Sequence, residues 1–143
     1  MEKGTRIEEV REATRLLKAQ GIKSSWFIQL GYLGETREDI EATRALILEE
    51  RPDEIGVSVS YPLPGTPFYE TVRAQVGRKR NWEHTDDLDM LFHGTYVADF
   101  YRLVRDLLHR DVDAYRAGEE SLDEEWSALW AREADFLSSV EVL

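Results

Sequence analysis

Two short apolar runs, residues 25–30 and 54–61, each lead into a glycine-marked loop, and each loop precedes a helix-like pattern. This repeated order constrains the fold more than any other feature of the chain. A helix between two strands carries the chain back to the same end of the sheet, so the strands pair in parallel through a right-handed crossover. The expected fold class is α/β: a partial (β/α) barrel fragment with parallel strands 25–30 and 54–61, followed by an all-helical C-terminal tail. Residues 1–77 read as the barrel units, and residues 78–143 as an irregular segment and a helical extension packing on them. Two strands complete neither a barrel nor a doubly wound sheet, so part of the architecture is expected to lie elsewhere.

Helix signals fill the intervals. Thr5-Arg6-Ile7-Glu8 fits a capping box, and Ile7, Val10, Thr14 and Leu17 follow at helical spacing. Gly21 stands where a helix-ending glycine belongs, and Thr36 with Asp39 three residues on predicts the next helix start. Pro52 stops that helix. Thr66-Pro67 opens another, with proline at the first helical position, and Gly77 ends it. Residues 78–93 are polar and irregular, anchored by Trp82, Leu88, Met90, Leu91 and Phe92. A long helix is predicted from about Thr95 to Arg116, ended by Gly118, and a second capping box at 121–124 opens a final helix carrying Trp126 and Trp130.

Alternation along the strands assigns their faces. Ile55, Val57, Val59 and Tyr61 point one way; Gly56, Ser58 and Ser60 point the other. Trp26, Ile28 and Leu30 share the helix-side face, leaving Ser25, Phe27 and Gln29 opposite. A filled barrel lumen is usually lined by bulky branched residues. Glycine and small hydroxyls there suggest either a lumen with room for a ligand or a half-covered sheet facing solvent. Gln29, Ser58 and Ser60 are the candidate hydrogen-bonding groups of that face.

The loops lie at the C-terminal ends of the strands, where β/α folds place their sites. Gly31 and Gly34 permit positive φ and close approach of a ligand, whose adenine or carboxylate edge could meet backbone groups of Gly31, Tyr32, Leu33, Gly34 and Glu35. The second loop, Tyr61-Pro62-Leu63-Pro64-Gly65-Thr66-Pro67, holds three of the four prolines and is a stiffer wall. No lysine follows the second glycine, so neither is a Walker phosphate loop. A βα turn also uses glycine for purely structural reasons, and Glu35 either caps its own helix or faces the pocket.

The chain has 143 residues, 42% apolar and 33% charged, which fits one globular domain. No run approaches the ~20 apolar residues of a membrane span, no signal peptide is visible, and a cytoplasmic location is expected. There is no cysteine, so thiolate metal sites within the chain are excluded. The net charge of −11 disfavours a nucleic-acid partner. Residues 111–143 hold ten acids against Arg116 and Arg132, which reads as a solvated helix face or a docking surface for a basic partner. His84, His93 and His109 lack metal-ligand spacing. Arg78-Lys79-Arg80 is a solvated loop or a contact for a substrate carboxylate.

Taken together, "FIQLGYLGETREDIEAT" and "SVSYPLPGTPFYE" resemble the second half of the radical S-adenosylmethionine (SAM) enzyme barrel. The lead-in "MEKGTRIEEVREATRLLKAQGI" is similar to the helix before the fifth strand there. The chain resembles the cobalamin-binding branch in particular. The continuation "NWEHTDDLDMLFHGTYVADFYRLVRDLLHRDVD" is similar to tails in the group containing the anaerobic magnesium-protoporphyrin IX monomethyl ester oxidative cyclase. The resemblance covers about residues 1–113. Relatives usually carry proline where this chain has Leu33.

This resemblance implies that residues 31–35 line a SAM pocket together with the strand before them, and that Tyr61, Pro62 and Leu63 lie near the adenine. It also implies a 4Fe-4S cluster held by three cysteines in a CxxxCxxC loop, which this chain lacks. The expectation is a C-terminal fragment of a longer enzyme, inactive alone, with no catalytic residue of its own. The parent would cleave SAM reductively, and the radical would oxidise or cyclise a tetrapyrrole-like or other small-molecule substrate. Cluster and cobalamin would sit on the remainder of the parent chain. Alternatives are a methylthiotransferase-like or coproporphyrinogen-dehydrogenase-like branch, or an acidic α/β interaction module without catalysis. With two strands only, either a homodimer forms through an exposed strand edge or the C-terminal helices cover that edge.

Overall fold

A computed structural model of the chain describes residues 4–76, 88 and 90–138. The element order is α1 (Ile7–Ala19), β1 (Ser25–Leu30), α2 (Arg37–Glu50), β2 (Glu54–Val59), α3 (Pro67–Val76), α4 (Ala98–Ala117), α5 (Asp123–Ala131) and a closing 3-10 helix, Glu133–Phe136. β1 and β2 form a two-stranded parallel sheet with α2 as the crossover. The register runs from Ser25 opposite Glu54 to Leu30 opposite Val59. The α/β class with a parallel pair is therefore as expected, but β2 stops two residues short of Tyr61. The ladder adds one bond beyond the strand, Ser60 N–H to the Leu30 carbonyl at 2.7 Å.

Local chemistry accounts for most boundaries. Gly21, at φ +69°, closes α1 in a Schellman arrangement: its N–H reaches the Lys18 carbonyl and the Ile22 N–H reaches the Leu17 carbonyl. Thr36 and Asp39 cap α2 reciprocally, each side chain accepting the other's backbone N–H. Arg51 takes the left-handed conformation at φ 47°, and Pro52 follows. Thr66 Oγ1 accepts the Tyr69 N–H at the start of α3. Three predicted starts shift. α1 begins after Arg6, whose N–H is bound by Glu9, so the Thr5 box does not form. α4 begins at Ala98 because Thr95 is engaged elsewhere. α5 begins after Leu122 without a side-chain cap. The Gly77 stop, Trp82, His84 and the basic triplet at 78–80 fall outside the described residues.

The core lies on one side of the sheet. Leu30, Ile40, Ile47, Ile55, Phe100, Val104, Leu108, Trp126 and Trp130 form one buried cluster, with Trp26, Ile28, Val57 and Val59 packed on it. Burying these side chains supplies the main drive for folding, at ~25 cal/mol per Å² of apolar area removed from water. On α4 the buried positions recur every three or four residues, which seats that helix on α2 and β2. The opposite sheet face stays open: Phe27 is 78% exposed, and Ser25 and Gln29 are exposed. The face assignment made from alternation therefore holds for β1.

α1 departs from its expected packing. Thr14 is its only buried residue, and Ile7 remains 56% exposed. Thr14 Oγ1 accepts the Trp26 indole N–H at 3.0 Å. A groove of about 880 Å³ runs beside β1, bounded by Ile7 and Val10 of α1 and by Ala42 and Leu46 of α2. No helix among the described residues is long and apolar enough to cross a membrane.

Candidate functional site

Because β1 and β2 are parallel, the loops that follow them leave from the same end of the sheet. The 31–35 loop and the 60–66 loop therefore stand side by side.

The first loop is closed by its own glutamate. Gly31 adopts φ +74° and Gly34 φ +80°, conformations that favour glycine. The Gly31 N–H donates to Glu35 Oε1 at 2.8 Å. Glu35 thus clasps the loop, and Thr36 caps the helix. Burial pushes the Glu35 carboxyl up to about 7; the Gly31 bond acts in the opposite direction, and nearby Asp39 reinforces the rise. A carboxyl pushed toward neutrality at the end of a β/α sheet can take up and release a proton. Thr95 Oγ1 donates to the Glu35 carbonyl at 2.6 Å, which brings the segment before α4 onto the loop.

Over the strand ends lies a second apolar cluster. Val72, Leu91 and Phe92 are its buried centre, with Leu33, Tyr61, Phe68, Tyr69 and Met90 around it. Tyr32 packs on Phe68 at 5.1 Å between ring centroids, and Phe68 meets Phe92 edge-on at 5.1 Å. Both loops, α3 and the 90–92 segment thereby make one roof. The roof is tied down beyond Met90: the Val97 N–H donates to the Phe136 carbonyl, the Ser138 N–H to the Thr95 carbonyl, and the Tyr96 hydroxyl to Glu133.

Gln29 and Ser58 are register partners on the open face, Gln29 exposed and Ser58 half-buried. Gly31 is buried, Tyr32, Leu33 and Glu35 are half-buried, and Gly34 is exposed. Ser60 is a correction to the open-face expectation: it lies past the end of β2 and is 2% exposed. It neighbours Gly31 at the covered end of the ladder, so strand alternation no longer governs it. Pro62 is buried, whereas Leu63 projects outward at 59% exposure, its carbonyl accepting the Thr66 hydroxyl at 2.7 Å. Tyr61 is half-buried and belongs to the roof.

Sequence reasoning missed Gly94, Thr95 and Tyr101, and took Met90 only as an anchor. A side-chain carbon on Gly31 would meet Met90 Sδ at 2.9 Å and Tyr101 Cζ at 3.5 Å; one on Gly94 would meet Met90 Cε at 2.9 Å. The signal was the glycine within Phe92-His93-Gly94-Thr95-Tyr96, whose neighbours are all larger. The buried hydroxyls of Ser60, Tyr61 and Tyr101 have no hydrogen-bond partner among the described residues. Burial, then the Glu35 charge, drives the Tyr101 hydroxyl well above the usual phenol range; the Tyr96 backbone beside that hydroxyl acts to lower its pKa. No group of three or more metal-ligating side chains occurs among the described residues.

Comparison with known proteins gives partial matches. No protein-family model matches the chain. It is 37% identical over 78 residues to a threonylcarbamoyladenosine tRNA methylthiotransferase of Homo sapiens, a stretch covering 53% of this chain and 13% of that protein. The corresponding methylthiotransferase of Danio rerio is 36% identical over 78 residues, covering 53% and 14%. An anaerobic magnesium-protoporphyrin IX monomethyl ester cyclase of Cereibacter sphaeroides is 34% identical over 74 residues, covering 52% and 12%. The chain thus spans a small fraction of the length of the relatives it matches. These are weak partial homologies to members of the radical SAM family, all of them enzymes.

Proposed function

We propose that this chain is part of a radical SAM enzyme and forms one wall of its SAM and substrate pocket. The observation that carries the reading is the placement of the two glycine-marked loops at one end of a parallel pair, above an open sheet face. The partial homologies support the same class.

The residues partly fit SAM. Ser60, Tyr61 and Tyr101 offer buried hydroxyls that lack partners among the described residues, and the 31–35 loop offers backbone groups within reach of a flat ring. SAM supplies the radical chemistry when bound. This chain's contribution is to orient the adenosine end and to hold a proton at Glu35. The chain does not fit the 4Fe-4S cluster, because it has no cysteine thiolate to offer. Cluster, cobalamin and reductive cleavage are therefore assigned to the remainder of the parent enzyme, and this piece is inactive alone. The free edge of β1, beside the groove bounded by α1 and α2, is where the preceding strand of that parent would pair.

The two kinds of relative suggest different substrates, a tRNA adenosine and a magnesium porphyrin. Net charge favours a small molecule. At −11 this piece would repel a phosphate backbone rather than bind it. A tetrapyrrole-like or other organic substrate is the preferred reading, and a methylthiotransferase-like role is the second.

The test is titration of the labelled chain with S-adenosylhomocysteine, following backbone amides by NMR. Shifts concentrated at residues 31–35 and 60–63 are expected. Shifts confined to other residues, or none at millimolar ligand, would overturn the reading.

A further inference from the structure

Met90 sits in an unusual seat. Its Sδ and Cε lie where side chains on Gly31 and Gly94 would begin, so both glycines leave room for one methylthio group. Gly94 is not in a positive-φ conformation, and backbone freedom does not explain it. The space taken by Met90 does. Tyr101 shares the slot, with Cζ 3.5 Å from the Gly31 position and its hydroxyl 3.7 Å from the Gly94 position.

The seat is chemically mismatched. Ser60 is 2% exposed and Tyr101 is 0% exposed, yet neither hydroxyl finds a partner among the described residues; the Tyr61 hydroxyl, in the cluster that Met90 joins, is in the same state. A thioether is at best a weak acceptor. Leaving a buried hydroxyl unbonded costs about 1–3 kcal/mol. Met90 itself is only half-buried, so its side chain has a path to solvent, and methionine repacks more readily than branched side chains.

We infer that Met90 is a displaceable plug, seated between Gly31 and Gly94, which withdraws when a flat nitrogen heterocycle enters and takes hydrogen bonds from the surrounding hydroxyls. The inference rests on the reading of the 31–35 loop as a nucleoside-binding wall, and adds a control element to it. Plugging lowers apparent affinity by the fraction of chains in which the slot is open. It also keeps the apolar roof closed until ligand arrives.

The chain has two methionines, Met1 and Met90, so selective methyl-13C labelling reports Met90 directly. Adenosine is titrated into the unmodified chain while the Met90 methyl and the amides of residues 31–35 are followed together. The methyl is expected to leave its ring-shifted position near Tyr101 and move toward that of free methionine, saturating with the amides. Met90→Ala is expected to bind adenosine about tenfold more tightly than the unmodified chain. Amide shifts with an unmoved methyl, or equal affinity in a folded Met90→Ala, would overturn the plug and leave the nucleoside wall standing. Silence of both probes at millimolar adenosine would overturn both. The unmodified chain answers the question even if the variant does not fold.

Discussion

Arg44 on α2 grips Asp111 on α4 with two nitrogens, Nε to Oδ2 at 2.8 Å and Nη2 to Oδ1 at 3.1 Å. The Trp126 indole N–H donates to the same Oδ2 at 2.8 Å, and the Arg44 guanidinium lies 5.0 Å from the Trp126 ring centroid. One buried carboxylate therefore joins α2, α4 and α5. Its oxygens are satisfied by a bidentate cation and an indole, the arrangement that makes a buried ion pair tolerable.

Removing Asp111 strands the indole donor and takes the bidentate partner from a half-buried guanidinium, which keeps Asp123 at 2.9 Å. Asp111→Ala should lower unfolding free energy by about 2–4 kcal/mol, whereas Trp126→Phe, which loses the indole hydrogen bond and some packing area, should cost about 1–2 kcal/mol. Urea denaturation followed by tryptophan fluorescence and far-ultraviolet circular dichroism checks both. Equal losses for the two variants would show that packing, not the carboxylate, holds the helices.

Glu50 closes the other end of α2. Its buried carboxylate takes Arg11 at 3.0 Å and Arg15 at 2.6 Å, and its carbonyl accepts the Lys18 ammonium. The Arg15 bonds, followed in weight by the opposing effect of burial and then by Arg11, hold the Glu50 carboxyl below the ordinary carboxylate range. A depressed carboxyl contributes stability above its unfolded-state value and loses it as pH falls through the folded one. Acid unfolding below about pH 5 should therefore be less steep in Glu50→Gln than in the unmodified chain. Parallel acid-titration curves would exclude the Glu50 cluster as a source of that dependence.

Much of the fold was legible because local rules decide it. Alternation fixed the faces of β1 and β2, Gly21 and Gly118 ended their helices, and Pro67 began α3. What the sequence hid depends on distant partners. Nothing around Glu50 marks it as buried until Arg11 and Arg15 arrive from α1. Thr95 looks like the start of α4 until its hydroxyl is found on the Glu35 carbonyl. The site divides the same way. Its loops announce themselves by glycine and proline, whereas Tyr101, 70 residues beyond Gly31, reads only as one more apolar position on a helix.

Glu35 gives a pH effect of opposite sign. Its folded-state carboxyl stands near 7 against an ordinary value of 4.5, so the native fold favours the protonated form. The associated stability is complete below about pH 4.5 and is lost as pH rises through 7. For a half-buried group the loss should amount to about 1–3 kcal/mol. Glu35→Gln keeps an oxygen for the Gly31 N–H and stays neutral, so it should flatten the stability profile from pH 5 to 8. Carboxyl-carbon NMR shifts give the titration midpoint directly; a midpoint near 4.5 would remove the basis for any proton-holding role.

Gly31 and Gly94 should separate strain from crowding. Gly94→Ala clashes only with the far end of Met90, a flexible group, and meets Tyr101 and Gly31 at ordinary contact distance, so its cost should be about 1 kcal/mol and should vanish when combined with Met90→Ala. Gly31→Ala meets the same methionine but also forces alanine to φ +74°, which costs about 1–2 kcal/mol by itself. Combining it with Met90→Ala should therefore recover only part of the loss. The two double-mutant cycles, measured by chemical denaturation, should give a coupling for Gly94 that accounts for its whole effect and a residual for Gly31 that does not. Equal and complete rescue at both positions would mean that the 31–35 loop relaxes out of its left-handed turn once Met90 is gone. The loop geometry would then be imposed by the roof rather than by its own glycines.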